Sequence, residues 1–287
     1  MLFRSALTID AYPTTYLHSP VPYDTSSVVA GSRSYQQWCV ECHGRTGRGD
    51  GPLASGMPVR PANLNEPHLQ WHTHGDMYWW LSYGISKSGM PGYATRLSED
   101  ERWQLLNFLS AMSMGYEARP LGTAIAEGNP WLPELDFSYP ASGHSASLSD
   151  WRRLQQPVLL AFVSKKIHSE RLSALNTLAT SHSLQTIAVL RNDANEQWMS
   201  TGWTSFIDTQ GKITEAWSHY RRTLADPDFD DARTDISGML FLIDRFGFVR
   251  ARWTTDDDLP SAEMLITQIN RLASEPEIRS LNAHQTP

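Results

Sequence analysis

Cysteine is nearly absent. Two residues in 287, Cys39 and Cys42, are all the chain contains, so cysteine chemistry is confined to one place near its start. Long apolar runs are missing too: the longest, Val158 to Val163 and Met239 to Ile243, fall far short of the roughly 18 residues that span a bilayer. Nor is there an excess of positive charge. Twenty-four Lys and Arg face 31 Asp and Glu, a formal charge of -7, which argues against a polyanion-binding surface and makes nucleic acid a poor candidate as partner. The first ten residues, Met1 to Asp10, lack the apolar stretch and small-residue cleavage site of a signal peptide, which taken literally predicts a cytoplasmic chain. No Ser/His/Asp constellation or phosphate loop can be named, and Gly47, Gly49 and Gly51 are too closely spaced for either nucleotide fingerprint. What is there is 40% hydrophobic, 10% aromatic and 19% charged, a globular composition, over a length that suits about two domains of roughly 100–200 residues each.

The two cysteines sit in Cys39-Val40-Glu41-Cys42-His43, and C-x-x-C-H is the attachment signature of c-type haem. Two thioethers hold a porphyrin edge only if their cysteines are close in the chain, and His43 then reaches the iron from the same helical turn. A dithiol redox motif, half of a zinc site and an accidental match compete with this reading. For zinc, any two of His68, His72 and His74 would have to complete the ligand set.

The surrounding sequence decides between them. Gly31 to Cys39 reads as an amphipathic helix with Tyr35 and Trp38 on one side, and the glycines from Gly44 to Gly51 mark a tight loop. Arg60-Pro61-Ala62-Asn63-Leu64 follows, then Gly75 to Ile85 and Gly89-Met90-Pro91-Gly92-Tyr93. Leu97 to Leu109 reads as a helix with Ser98 as its N-cap and Glu101 three residues on. In this order residues 29–116 resemble a small class I cytochrome c. The resemblance implies an all-α haem domain whose last helix packs across the first, with one covalent haem c on Cys39 and Cys42 and axial ligands His43 and Met90. Met57, in Gly56-Met57-Pro58, is the rival sixth ligand. A His/Met iron has no vacant position, so the implied role is electron transfer. Trp38, Trp80 and Tyr93 are candidates for the haem pocket, with ordinary core as the competing role, and Arg60 is placed either against a propionate or in solvent.

Residues 117–134, with Arg119-Pro120 and Gly128-Asn129-Pro130, read as a linker. Beyond it, Pro157 to Val163 reads as a buried strand, His168 to His182 as a helix and Thr186 to Leu190 as a second strand. A hairpin turning at Arg245-Phe246-Gly247 and a last helix from near Pro260 follow. Residues 135–276 resemble the thioredoxin-like superfamily, in particular its peroxiredoxin and copper-chaperone-like branch, which implies an α/β domain. The loop after the first strand reads Ser164-Lys165-Lys166-Ile167-His168, without the cysteines of the redox enzymes, so thiol exchange and cysteine-based copper binding are excluded here. His168 with His182 or His219 is the remaining copper candidate. The acidic runs Asp226 to Asp231 and Asp256 to Asp258 read as solvated loop surface.

The expectation is a mixed, two-domain chain: an extension over 1–28, the haem domain, the linker, the thioredoxin-like domain and a tail over 277–287. Its expected function is electron transfer with redox partner proteins, the second domain serving to dock or position the first. A haem enzyme or sensor with an opening sixth site and a zinc-stabilised interaction protein are the alternatives. Because haem attachment in the resembled family happens outside the cytoplasmic membrane, the chain is expected in the periplasm or on the membrane's outer face. It would then be a piece of something exported, with an upstream membrane domain of the copper-resistance type.

Overall fold

The computed structural model describes residues 11–126, 129–141, 144–164, 184–194, 203–228 and 234–274. They divide into two compact units. The first is Ser27–Ser113 with the N-terminal segment up to Tyr23, and the second runs from Met114 onward and takes in Asp24–Ser26.

Helices build the first unit: α1 (Thr25–Trp38), α2 (Val40–His43), α3 (His74–Tyr83) and α4 (Glu99–Glu117). α1 starts before Gly31 because Val28 and Val29 extend its buried face. Gly31 is where α1 meets α4. A Cβ there would lie 2.0 Å from the Gln104 carbonyl oxygen and 2.8 Å from Phe108 Cβ, so the two backbones approach only because no side chain intervenes. One turn on, Tyr35 packs against Phe108 with ring centres 5.2 Å apart. α4 opens as its sequence predicts: Ser98 Oγ accepts from the Glu101 amide at 3.3 Å, and Glu101 Oε2 accepts from the Ser98 amide at 2.8 Å. It continues past Leu109 because Ala111 and Met112 prolong the buried stripe. The segment read as an extension packs on α3. Thr14 Oγ1 donates to the Gly75 carbonyl at 2.5 Å, Thr15 bonds the Asp76 carboxylate, and the Tyr12 ring lies 5.9 Å from Trp79 and 5.8 Å from Trp80.

In the second unit the elements are β1 (Leu132–Pro133), β2 (Ser138–Ala141), β3 (His144–Ser147), α5 (Asp150–Arg153), β4 (Val158–Val163), β5 (Gln185–Leu190), β6 (Thr204–Ile207), α6 (Lys212–Trp217), β7 (Leu240–Ile243), β8 (Phe248–Trp253) and α7 (Ala262–Ser274). Six strands form one sheet in the order β1-β8-β7-β4-β5-β6, and β2 pairs with β3 alone. β4, β5 and β6 run parallel, while β7 is antiparallel to both β4 and β8. Every residue of β4 is buried, as expected of a strand covered on both faces. Leu159, Ala161 and Val163 join Leu265, Ile269 and Leu272 of α7 in one core. Phe162 and Phe241 meet Trp217 at 6.0 and 5.1 Å, at the end of α6.

Parallel strands, then a hairpin, then a closing helix make this a thioredoxin-like fold. The hairpin turns at Gly247, whose φ of 87° is open to glycine. β1, β2, β3, β6 and α6 are short, two to six residues each, and no sequence pattern announced them. The predicted helix over 168–182, with His168 and His182, lies outside the described residues. Residues 117–134 carry more structure than a tether needs. The Gly122 carbonyl accepts from the Arg252 amide at 2.9 Å, Gln268 Nε2 donates to the Thr123 carbonyl at 3.0 Å, and Leu132–Pro133 becomes the edge strand on β8.

Candidate haem-binding site

The site grows from a helix of four residues. α2 holds Cys42 and His43, with Cys39 as the residue before it, and the amides of Cys42 and His43 both donate to the Cys39 carbonyl, at 3.2 and 2.8 Å. The three side chains therefore share one turn. Residues 44–53 wrap the end of that turn: the amides of Gly49, Gly51 and Leu53 donate to the carbonyls of His43, Cys42 and Glu41 at 2.9, 3.1 and 2.8 Å. The wrap explains the glycines. A Cβ on Gly51 would stand 2.5 Å from the Val40 and Glu41 carbonyl oxygens, and one on Gly49 would stand 2.1 Å from that of Pro61.

Residues 60–65 lie over this loop, with the Leu64 amide donating to the Gly47 carbonyl at 2.7 Å and Asn65 Nδ2 to that of Thr46 at 2.7 Å. Arg60 is exposed, and its Nε reaches the Gly49 carbonyl at 3.4 Å. The strap sets the Ala62 carbonyl 3.1 Å from His43 Nδ1. A carbonyl only accepts, so Nδ1 carries the proton and Nε2 presents its lone pair. Burial also lowers the His43 pKa, which favours the neutral, ligating form.

Both thiols are unpaired and half-buried. Burial, reinforced by the neighbouring Cys42, pushes the Cys39 thiol up to about 12. A dithiol exchange centre works through a thiolate stabilised near neutral pH, and burial at Cys39 acts in the opposite direction. The zinc reading finds no support either: among the described residues no three His, Cys, Asp or Glu side chains converge as a metal site. His74 faces Ser110 at 3.4 Å, and His68 faces Glu66 at 3.3 Å.

Met90 lies in a loop pinned at both ends. The Ile85 amide donates to the Met90 carbonyl at 2.9 Å, and the Tyr93 amide donates to that of Leu81 at 2.9 Å. Tyr93 then ties this loop to the cysteines: its hydroxyl donates to the Trp38 carbonyl at 3.0 Å, and the two rings stand 6.3 Å apart. Burial, followed by the nearness of Cys39 and Cys42, pushes the Tyr93 hydroxyl up to about 12. The Arg96 guanidinium covers both rings, 5.5 Å from Trp38 and 5.9 Å from Tyr93.

Met57 and Met90 are not far apart. A Cβ built on Gly89 would lie 3.0 Å from Met57 Cε and 2.9 Å from Pro58 Cδ, so the loops of both candidate sulfur ligands abut. Trp38 and Tyr93 thus gather beside the cysteines, whereas the Trp80 ring contacts Tyr12 and His72. Sequence reasoning missed the Ala62 carbonyl, a backbone group with no sequence signature, and Tyr12. It noted Tyr35 only as a helix face, yet the Tyr35 hydroxyl donates to the Gly44 carbonyl at 2.7 Å and closes the turn from below.

The residues present fit a c-type haem: two unpaired, half-buried thiols and an imidazole nitrogen on one turn, and methionine loops within the same unit. Of the copper candidates in the second unit, His219 is 3% exposed, and burial together with Arg222 and Arg221 holds it neutral, surroundings that oppose a cation.

Residues 26–109 match the family described as cytochrome C oxidase, cbb3-type, subunit III, and this stretch is a cytochrome c domain. No curated protein is similar to the chain. Among solved structures, a chain of the reducing HAO-like protein complex of Kuenenia stuttgartiensis is 28% identical over 33% of this chain, with a TM-score of 0.30; this chain spans 47% of it. A putative thioredoxin from Neisseria meningitidis is 15% identical over 53% of this chain and 96% of its own, with a TM-score of 0.37. A putative thiol:disulfide interchange protein DsbE from Chlorobium tepidum is 18% identical over 54% and 98%, with a TM-score of 0.34. At such TM-scores the fold of the second unit rests on its own strand order.

Proposed function

We propose that the chain is an electron-transfer protein, in which one haem c is attached through Cys39 and Cys42 and ligated by His43 and Met90. The observation that carries this is the single turn bearing both cysteines and His43, with the Ala62 carbonyl holding Nδ1 so that Nε2 is left to ligate. Haem c supplies a one-electron iron couple, whose potential a His/Met ligand set raises. The protein's part is to orient. The glycine wrap fixes the turn, the strap fixes the imidazole, and Tyr93 with Arg96 and Trp38 screens the cysteine side from water. Trp80 and Arg60 are proposed at the pocket rim, with Arg60 free to meet a propionate.

The thioredoxin-like domain has no cysteine, so it cannot exchange electrons through a dithiol, and we assign it the docking or positioning of the haem domain against redox partner proteins. We further propose a working location outside the cytoplasmic membrane, where the resembled haem family acquires its cofactor, and an upstream membrane domain as partner. No helix of the described residues is long and apolar enough to cross a membrane.

The test is visible spectroscopy of protein made with haem-attachment machinery. Colour that survives denaturation, with a reduced low-spin spectrum indifferent to carbon monoxide, is the expected result. A spectrum that shifts with carbon monoxide would replace electron transfer by an open-site enzyme or sensor, and colourless protein would remove the haem assignment. Because the Met57 and Met90 loops abut, Met57 is the second reading for the sixth ligand, decided by the paired variants described below.

A further inference from the structure

His68 and His72 lie away from the cysteine turn, four residues apart on the 3-10 turn Pro67–Trp71 and its C-cap. Their rings stand 6.2 Å apart and perpendicular. With nitrogen–metal bonds of about 2.0–2.1 Å, two imidazoles on one ion have ring centres no more than about 6.5 Å apart, so the pair is already within the span of a shared ion. Each ring is steadied by a third group. Glu66 Oε2 stands 3.3 Å from His68 Nδ1, the kind of outer carboxylate contact that orients a ligating histidine and leaves its Nε2 to take an ion. The Trp80 ring meets the His72 ring edge-on at 4.7 Å. The His68 side chain is 33% exposed, so an ion from solvent can reach it.

We propose that His68 and His72 form a binding site for a divalent transition-metal ion, Cu(II) above all, with water completing the coordination shell. Imidazole suits Cu, Ni and Zn, and among first-row divalent ions Cu(II) binds a given nitrogen site most tightly. Two protein ligands make the ion exchangeable rather than structural. Neither histidine belongs to the cysteine turn or to either methionine loop, so haem attachment uses neither ligand.

The test is titration of the full-length protein with CuCl2, followed by calorimetry and by electron paramagnetic resonance for coupling to two imidazole nitrogens. One equivalent bound with two-nitrogen coupling is expected. Losing one ligand should weaken binding at least as much as losing an outer-shell partner, about tenfold or more for His68→Gln or His72→Gln. The double substitution should abolish that equivalent, and His74→Gln should leave it intact. Glu66→Gln should weaken binding without changing the nitrogen count. Circular dichroism identical to the parent would show that each variant is folded. Copper bound with the same stoichiometry and spectrum by the double variant, or no copper bound by the parent, would overturn the proposal.

Discussion

Glu134 makes the second unit a pH-dependent structure. Its side chain is 4% exposed, and burial pushes its carboxyl up to about 7 from the ordinary 4.5. Arg152 Nε, 2.9 Å away, pulls the other way, but Arg152 is 45% exposed and its charge is partly screened by water, while Asp136 and Asp244 add to the upward push. The folded state therefore holds a proton that the unfolded chain has released between pH 4.5 and 7. Stability from this group is fully present below about pH 4.5 and is lost as pH rises through 7. The interval is worth about 3 kcal/mol at roughly 1.36 kcal/mol per pH unit. For a unit of this size that is a fall of about 6–12 °C in Tm. Calorimetry of the full chain from pH 4.5 to 8, with Glu134→Gln as reference, reads it directly. The wild-type transition of the second unit should fall relative to the variant by that amount, with the change centred between pH 5 and 7. A wild-type-minus-variant difference that stays constant with pH would refute the reasoning.

Gly31→Ala should destabilise the first unit by about 1–3 kcal/mol, because its Cβ would stand 2.0 Å from the Gln104 carbonyl oxygen and the helices must part. Gly56→Ala, with nothing within 4 Å, should leave its melting temperature unchanged or slightly raised, by up to about 1 kcal/mol in stability. Equal calorimetric shifts for the two would contradict the close helix contact. Met90→Ala should open the sixth coordination position and give a carbon-monoxide-sensitive spectrum, whereas Met57→Ala should not; the reverse pattern would move the ligand to Met57. Asp244, 2.9 Å from Arg250 in a pair whose side chains are 2% and 6% exposed, also accepts from the Phe246 and Phe248 amides. Arg250→Met should cost about 3–5 kcal/mol by urea unfolding, since a buried carboxylate loses its cation. Adding Asp244→Leu should recover only part of that, because two turn amides would then lack their acceptor.

What the sequence showed about the fold follows from how far each element's reason for existing is local. The capping box of Ser98 and Glu101, the apolar run of β4 and the Asp244–Gly247 turn are each decided by neighbours within a few residues, and each was legible. β1 was not. Leu132–Pro133 is a strand only because β8 lies beside it, and the prolines and glycines ahead of it look like a tether until the Arg252 amide finds the Gly122 carbonyl. β6 has the same difficulty, since only its pairing with β5 distinguishes Thr204–Ile207 from the polar stretch around it.

At the candidate site the legible part is the side-chain chemistry and the hidden part is the backbone. Cys39, Cys42 and His43 announce a ligand set by type and spacing. What makes His43 a usable ligand is the carbonyl of Ala62, and any residue carries a carbonyl. Its position depends on residues 60–65 lying over a loop that only glycines can draw so tightly round α2. The glycines were visible as a loop signal, while the surface they make room for was not. Tyr93 shows the same limit from the other side. Its place in the sequence suggested contact with a cofactor, but the structure gives it a prior task, joining the Met90 loop to the Trp38 carbonyl beside Cys39. A tyrosine that closes the site by bonding backbone to loop does so with or without a ligand. For that reason Tyr93→Phe should loosen the Met90 loop first and alter the spectrum of a bound haem only as a consequence.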